Sequence, residues 1–499
     1  MTTSSNTPDN PAETANQAPT ELPTRLDPNH KVILGVLMVS TFVVFLNETI
    51  LGVALPNIME QLNITPSTGQ WLTTAYLLTM AVIIPTTGFL LERFSTKRMY
   101  IFAMSIFTVG TLVAATAFGF EMLLIGRILQ ASGTAIMLPL LMTTTMQLVP
   151  EHLRGRVNGN ITLVLSVAPA IGPAISGLVL SFTGWRSLFW MVLPIVIVTL
   201  ILGALKISNA GETRKVPLDV LSVIFSAFAF SGLVYGLSSF ADAARGNAVV
   251  SPWIPLAIGS IMMVLFLTRQ VRLQKKDQAL LDLRTFRSSA FAKAMILMAV
   301  SMLMLFGVGI IIPIYMQFVL GVQPLVTGLI MLPGGLLMGL MGPQVGKLYD
   351  KHGPRPLLVP GAAALSVSFW IMVSFGVGTS PILVFIVYTI MSLGLAFVFT
   401  PLFALSLSSV APQLYGHASA TIGTVQQLAG AAGTALFITV MTLVMMSAHE
   451  NGASDIDSIA RGIQVAFLIG AVASVVVVAL AAMLKRPANA DEIAHELEH

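Results

Sequence analysis

The stretch FLNETILGVALP, Phe45–Pro56, decides how the chain is read. It belongs to an apolar run starting near residue 32 that is long enough to cross a bilayer, yet Asn47 and Glu48 stand side by side within it. A charge near the membrane interior costs at least about 2.5 kcal/mol on insertion scales, so it persists where something uses it. Glu48 is therefore the first candidate for function.

The composition points the same way. Of 499 residues, 55% are hydrophobic and 10% charged, against about 25% charged in a typical soluble domain. The net charge is +4, but the basic residues fall in short loops between apolar runs, which argues against a nucleic-acid surface. With no cysteine there is no disulfide, thiolate metal site or Cys nucleophile. The 27 methionines offer adaptable apolar packing. Residues 1–24 are polar and rich in Thr, Asn and Pro. They lack the basic stretch and cleavable apolar core of a signal peptide, and read as a disordered tail, with the first span as an uncleaved insertion signal.

Apolar windows of about 20 residues fall near 32–55, 70–91, 99–119, 122–148, 158–182, 186–206, 218–238, 252–270, 290–319, 325–346, 356–377, 381–409, 414–447 and 460–484, which predicts fourteen spans. If the N-terminus is cytoplasmic, the inner segments collect nearly all the Lys and Arg. Only Arg186, Arg245 and Arg461 fall outside, and Arg127 lies within a span. A shift of the count by one helix would scramble this bias, so it supports both the number of helices and cytoplasmic termini. The expected fold is an all-α membrane protein with fourteen transmembrane helices.

The chain also repeats itself. The loop after the second window, GFLLERFSTKR (Gly88–Arg98), matches GKLYDKHGPR (Gly346–Arg355) after the tenth. Gly88 pairs with Gly346, Glu92 with Asp350, Arg93 with Lys351 and Lys97 with Arg355, all at one constant interval. Leu153, Gly155 and Gly172 recur in the same way as Leu414, Gly416 and Gly433. The expected division is a cytoplasmic tail (1–30), a six-helix half (31–207), two inserted helices with a basic cytoplasmic loop (208–287), a second six-helix half (288–486) and a tail (487–499). Parallel repeats of this kind place a substrate path between halves that rock to alternate its exposure. In the repeated loop, Gly permits close helix approach and the charged residues can pair or cap a neighbouring helix end, giving a latch that breaks and reforms.

These motifs resemble the major facilitator superfamily, specifically its 14-helix drug:proton antiporter branch of the EmrB/QacA, lincomycin-resistance-like type, over about residues 32–485. LNETILGVALP is similar to that branch's first-helix motif, Gly88–Lys97 to the superfamily's loop motif, LIGRILQASGTA (Leu124–Ala135) to its fourth-helix motif and APAIGPAISG (Ala168–Gly177) to its antiporter motif. Departures occur where the branch usually has Asp and this chain has Asn47, and where Glu92, Ser95, Thr96, Ala131 and Ser176 replace the usual residues. The resemblance implies a bacterial plasma-membrane transporter, not an enzyme, that works as a monomer without a cofactor. It also implies that Gly172, Pro173 and Gly177 form a helix controlling leak. From the residues alone that segment is a site of bending and close packing.

Rise per residue places Glu48 about 12 Å below the outer end of its helix and Arg127 about 9 Å along the fourth, at similar depth. Their direct or water-bridged interaction is expected, with Glu48 carrying the coupling proton and Arg127 modulating it. The alternative is a static ion pair holding two helices. A rival assignment gives the central role to Asn47, which hydrogen-bonds but cannot titrate. Asn158, Tyr235, Tyr315, Gln317, Gln426 and Gln427 are candidate cavity-lining groups, each equally able to be a helix–helix hydrogen bond. The terminal HELEH (His495–His499) matches a zinc-protease pattern but ends a charged tail with nothing to bury it, so no metal site is assigned. No G-x-x-x-x-G-K-[ST] loop occurs, so energy must come from a gradient. The function expected is export of small amphiphilic drugs in exchange for protons. The alternatives are export of a lipid or amphiphilic metabolite by the same fold, or a membrane sensor that does not transport.

Overall fold

The computed structural model describes residues 28–149, 161, 167–168, 171–208, 219–244, 246, 248, 250–276, 278–411 and 414–484. Among them the chain is helical throughout, without strands. The helices are α1 (Pro28–Leu62), α2 (Trp71–Arg93), α3 (Thr96–Ala115), α4 (Phe120–Leu148), α5 (Ile171–Phe182), α6 (Arg186–Lys206), α7 (Val220–Ala244), α8 (Trp253–Leu273), α9 (Ser289–Ile314), α10 (Pro324–His352), α11 (Arg355–Met372), α12 (Pro381–Ser408), α13 (Tyr415–Glu450) and α14 (Asp455–Met483). They coincide with the apolar windows and outrun several of them. α14 starts five residues before its window because Ser454 accepts from the Asp457 N–H and Asp455 and Asp457 occupy the first turn, both favourable at a helix N-terminus. The ninth window is not one regular helix: α9 passes Pro313, which cannot donate to the ladder, and closes in a π-turn over Tyr315–Val319.

Packing is duplicated. The pairs α3–α4, α2–α4, α3–α6, α1–α6 and α1–α4 recur as α11–α12, α10–α12, α11–α14, α9–α14 and α9–α12. The close crossings depend on small residues, as expected where lipid gives no hydrophobic drive between helices. A Cβ on Gly110 of α3 would lie 2.8 Å from the Gly126 carbonyl of α4, and one on Gly361 of α11 would lie 2.8 Å from the Gly394 carbonyl of α12. The two groups meet where α2 packs on α13, where α1 touches α9, and where α5 touches α10. Helix α7 packs on both α13 and α2, and α8 packs on α7.

The repeated loops close differently. In the second copy Gly353 ends α10 at φ +77° and donates to the Tyr349 carbonyl at 2.7 Å, a left-handed conformation that costs glycine little. The first copy has Ser95 at the corresponding position and instead ends α2 through extended Phe94, φ −114°. Both solutions turn the chain at the same end of the bundle. We call this end, which carries Arg93, Lys97, Lys351 and Arg355, the basic face.

The α7–α8 hairpin is welded along its length. A Cβ on Gly259 would lie 2.5 Å from the Leu233 backbone nitrogen. At the basic face Arg269 donates to both carboxylate oxygens of Asp219 at 2.8 and 2.7 Å. These bonds and that from Ser222 hold the Asp219 carboxyl below the usual carboxylate range. Gly259→Val is expected to force the hairpin apart and lower stability by the about 1–3 kcal/mol typical of overpacking, read as an earlier thermal unfolding transition of the solubilised protein.

Candidate functional site

Arg127 is fully buried in α4, and a buried guanidinium must be satisfied where it lies. Its Nε donates to the Leu72 carbonyl of α2 at 3.3 Å, and its Nη1 donates to the Asn47 carbonyl of α1 at 3.3 Å and to Gln130 Oε1 at 3.1 Å. The guanidinium carbon stands 4.0 Å from the centroid of the Tyr76 ring, a cation–π contact of real weight once desolvated. Gln130 then donates to Thr111 Oγ1 at 3.0 Å and to Asn47 Oδ1 at 3.5 Å, and Tyr76 Oη donates to Thr134 Oγ1 at 2.8 Å. One cation thereby joins α1, α2 and α4, with α3 attached through Thr111.

Glu48 lies beside this network without entering it. It is half-buried and within electrostatic reach of Arg127, but no ion pair joins the two within 4.0 Å among the described residues. Its Oε2, together with Arg127 Nη2 and Asn47 Nδ2, has no protein hydrogen-bond partner. One acceptor and two donors are thus left in one region for a water or a proton to join. Asn47 is fully buried and faces α4, whereas Glu48, about 100° around the helix, shares its face with Gly52 one turn on. A Cβ on Gly52 would come 3.5 Å from the Gly309 carbonyl of α9. Glu48 thus belongs to the α1 face that turns toward the other six-helix group. Pro56 leaves the Gly52 carbonyl without its ladder donor, and Pro313 does the same for Gly309, so the crossing helices are alike in construction.

Helix α5 is locked into the same region. A Cβ on Gly172 would fall 2.2 Å from Thr49 Oγ1 of α1. Gly177 and Gly328 interlock: a Cβ on the first would lie 2.5 Å from the Pro324 carbonyl, and one on the second 2.3 Å from the Pro173 carbonyl. Gln317, on the π-turn after α9, donates to the Val53 carbonyl of α1 at 3.2 Å. The Gly177–Gly328 and Gln317–Val53 contacts cross between the groups away from the basic face, so the two groups are shut against each other at the opposite end.

The remaining sequence candidates separate. Gln317 is a tie between the groups. Tyr315 is buried, donates to the Gly376 carbonyl at 2.7 Å and stacks on Phe375 at 5.6 Å, so it anchors the second group and does not line a central space. Tyr235 stands on peripheral α7 with its ring 5.7 Å from that of Trp71, which also takes it out of the centre. Gln426, half-buried, donates to the Met298 sulfur at 3.8 Å, and Gln427 keeps an unpartnered Oε1. Asn158, the terminal HELEH and the tails lie outside the described residues, as do the side chains of Glu92 and Asp350. Sequence reasoning missed Gln130 and Tyr76 as Arg127 partners. Their i+3 spacing on α4 and i+4 spacing from Leu72 on α2 were the available signal.

A duplicated bundle of membrane-length helices, with a buried arginine in one half and a half-buried carboxylate on the face turned to the other, is the architecture of a secondary transporter. The Major Facilitator Superfamily profile matches residues 37–434, and the chain belongs to that superfamily. It is 37% identical over 459 residues to an uncharacterized MFS-type transporter, YcnB, of Bacillus subtilis, covering 92% of this chain and 96% of the relative. It is 36% identical to the lincomycin resistance protein LmrB of Listeria monocytogenes, covering 88% and 93%. In structure it is similar, at TM-score 0.65 and 14% identity over 92% of this chain and 97% of the other, to a bacterial homolog of the human lysosomal transporter Spinster, solved inward-facing and unoccupied. The chain is a multi-pass membrane transport protein of small substrates, not an enzyme, and its bacterial relatives place it in the plasma membrane.

Replacing Arg127 by Lys keeps the charge but gives up the fork that reaches two carbonyls and Gln130. The variant is expected to lose about 1.5–3 kcal/mol for each charged hydrogen bond forfeited, seen as a lowered unfolding temperature with insertion in the membrane retained.

Proposed function

We propose that this transporter exports amphiphilic drugs in exchange for protons by alternating access, with residues 31–207 and 288–486 as the rocking halves and the basic face on the cytoplasmic side. The observation that carries the reading is Glu48. It is a half-buried carboxylate inside the bundle, its Oε2 unpartnered, on the α1 face turned to the opposite half and beside a cation already held by other groups. Because Arg127 Nε and Nη1 are held by other groups and no ion pair ties it to Glu48, Glu48 can take and release a proton as the halves change its surroundings. Relatives named for lincomycin resistance and for multidrug resistance support drug export as the direction. The repeated loops, Gly88–Lys97 and Gly346–Arg355, would latch the cytoplasmic face, and the α5–α10 interlock would seal the outer one.

Glu48→Gln is expected to abolish drug-dependent proton movement in inverted membrane vesicles while expression and folding persist. Wild-type coupling in that variant would remove Glu48 from the role. The same assay run over drug and lipid panels separates drug:proton exchange from lipid export.

The interlock supplies a second expectation. Gly177→Ala and Gly328→Ala each place a methyl against backbone that has no room to retreat. Both should hold the outer face open, read as increased labelling by an impermeant thiol reagent at Gly309→Cys, a position where a Cβ meets nothing within 4 Å.

A further inference from the structure

The duplicated packing gives the bundle two equivalent seams between halves, α2–α13 and α5–α10. They are not treated equally. Helix α7 lies along the first, where its Ala229, Phe230 and Val234 are buried in one apolar cluster with Tyr76, Leu77, Met80 and Ala81 of α2 and Ala431 and Ala435 of α13. Helix α8 backs it through the Gly232–Gly259 contact and makes no other substantial contact with a long helix among the described residues. The inserted pair thus stands between lipid and one seam, and no described helix does this for the other.

A wall across a moving seam must travel with one side. Toward the second half it has directional polar ties in addition to the apolar contacts with Ala431 and Ala435 of α13, and these ties run first to the segment that follows the hairpin. Gln270 at the end of α8 donates to Ser222 of α7 at 2.7 Å and accepts from the Leu280 and Leu281 N–H groups at 2.9 and 3.3 Å. Gln274 accepts from the Leu283 N–H at 3.2 Å. The segment so captured runs straight into α9: Asp282 caps its short 3-10 turn, Phe286 meets Phe291 edge-to-face at 5.3 Å, and Ser288 caps α9. Asp282 is also within electrostatic reach of His417 at the start of α13, and Thr439 of α13 donates to the Leu237 carbonyl of α7 at 3.4 Å. Toward the first half the contacts described above are apolar and aromatic, with Trp71 against Tyr235 and the cluster on α2. Hydrogen bonds hold one geometry, whereas apolar side chains slide with little change in contact area.

We propose that the α7–α8 hairpin is a side wall fixed to the second half, along which α2 slides, so that the α2–α13 seam stays closed to lipid in both orientations. An amphiphile dissolved in the bilayer is then left the α5–α10 side as its lateral way to the centre. The inference rests on alternating access as proposed above.

The cysteine-free chain allows a direct test. Val264 on α8, Val472 on α14 and Val109 on α3 are all more than half exposed on the bundle's surface, so a nitroxide on a cysteine there displaces no packing. Pairwise spin–spin distances are measured on the full chain in lipid nanodiscs at acid and alkaline pH. The expected result is an unchanged α8–α14 distance with a shifted α8–α3 distance, in step with a shifted α3–α14 distance. A shifted α8–α14 distance with α8–α3 unchanged would place the wall on the first half and overturn the proposal. Shifts in both α8 distances would show a wall attached to neither half and overturn it too. An unchanged α3–α14 distance removes the rocking motion itself, and the proposal with it. That failure is distinguishable, because it appears in a pair that does not involve the hairpin.

Discussion

The constraint on which the first half depends is that Arg127 is buried inside a membrane bundle and must be satisfied there. Its Nε and Nη1 are held mostly by main chain, and its Nη2 has no protein partner. The carbonyls of Asn47 and Leu72, the Gln130 amide and the Tyr76 ring surround it, so α1, α2 and α4 meet at a fixed point that no lipid-facing apolar contact could specify. A buried ion pair would have joined the same helices, but it would have tied up the carboxylate. Because the cation is held by neutral groups, Glu48 keeps its own chemistry while remaining close to a positive charge.

The second half carries the same packing plan without that charge. α9 repeats the first helix's glycine followed four residues later by proline, and Gly52 and Gly309 stand at the crossing. One turn before each glycine the chains differ: Glu48 in α1 and Leu305 in α9. The crossing of α1 and α9 therefore has an ionisable residue on one side and an apolar one on the other.

Much of this was legible in the sequence because membranes impose length and charge rules that leave little freedom. The windows located the helices, and the loop repeat at Gly88 and Gly346 exposed the duplication. The depth argument brought Glu48 and Arg127 to the same level. It could not reveal that Arg127 would turn to the Asn47 and Leu72 carbonyls, since every residue offers a carbonyl and the sequence marks none of them. Nor could it sort Tyr235 from Gln317. Both are polar residues in apolar spans, and only tertiary placement puts one on the peripheral hairpin and the other across the meeting of the halves.

The inserted hairpin also changes what the duplication means. Two equivalent halves, taken alone, would offer lipid two equivalent seams, and a transporter of membrane-dissolved compounds would then be open from both sides. Covering α2–α13 with α7 would make such access asymmetric, while the other seam is narrowed at its outer end by the Gly177–Gly328 interlock. The interlock is made of backbone meeting backbone, which leaves no side chain to swing aside, so it can open only by moving whole helices. In the proposed rocking of the halves, its opening would be tied to the same motion that changes the surroundings of Glu48, and a seal of this kind would not yield to substrate alone.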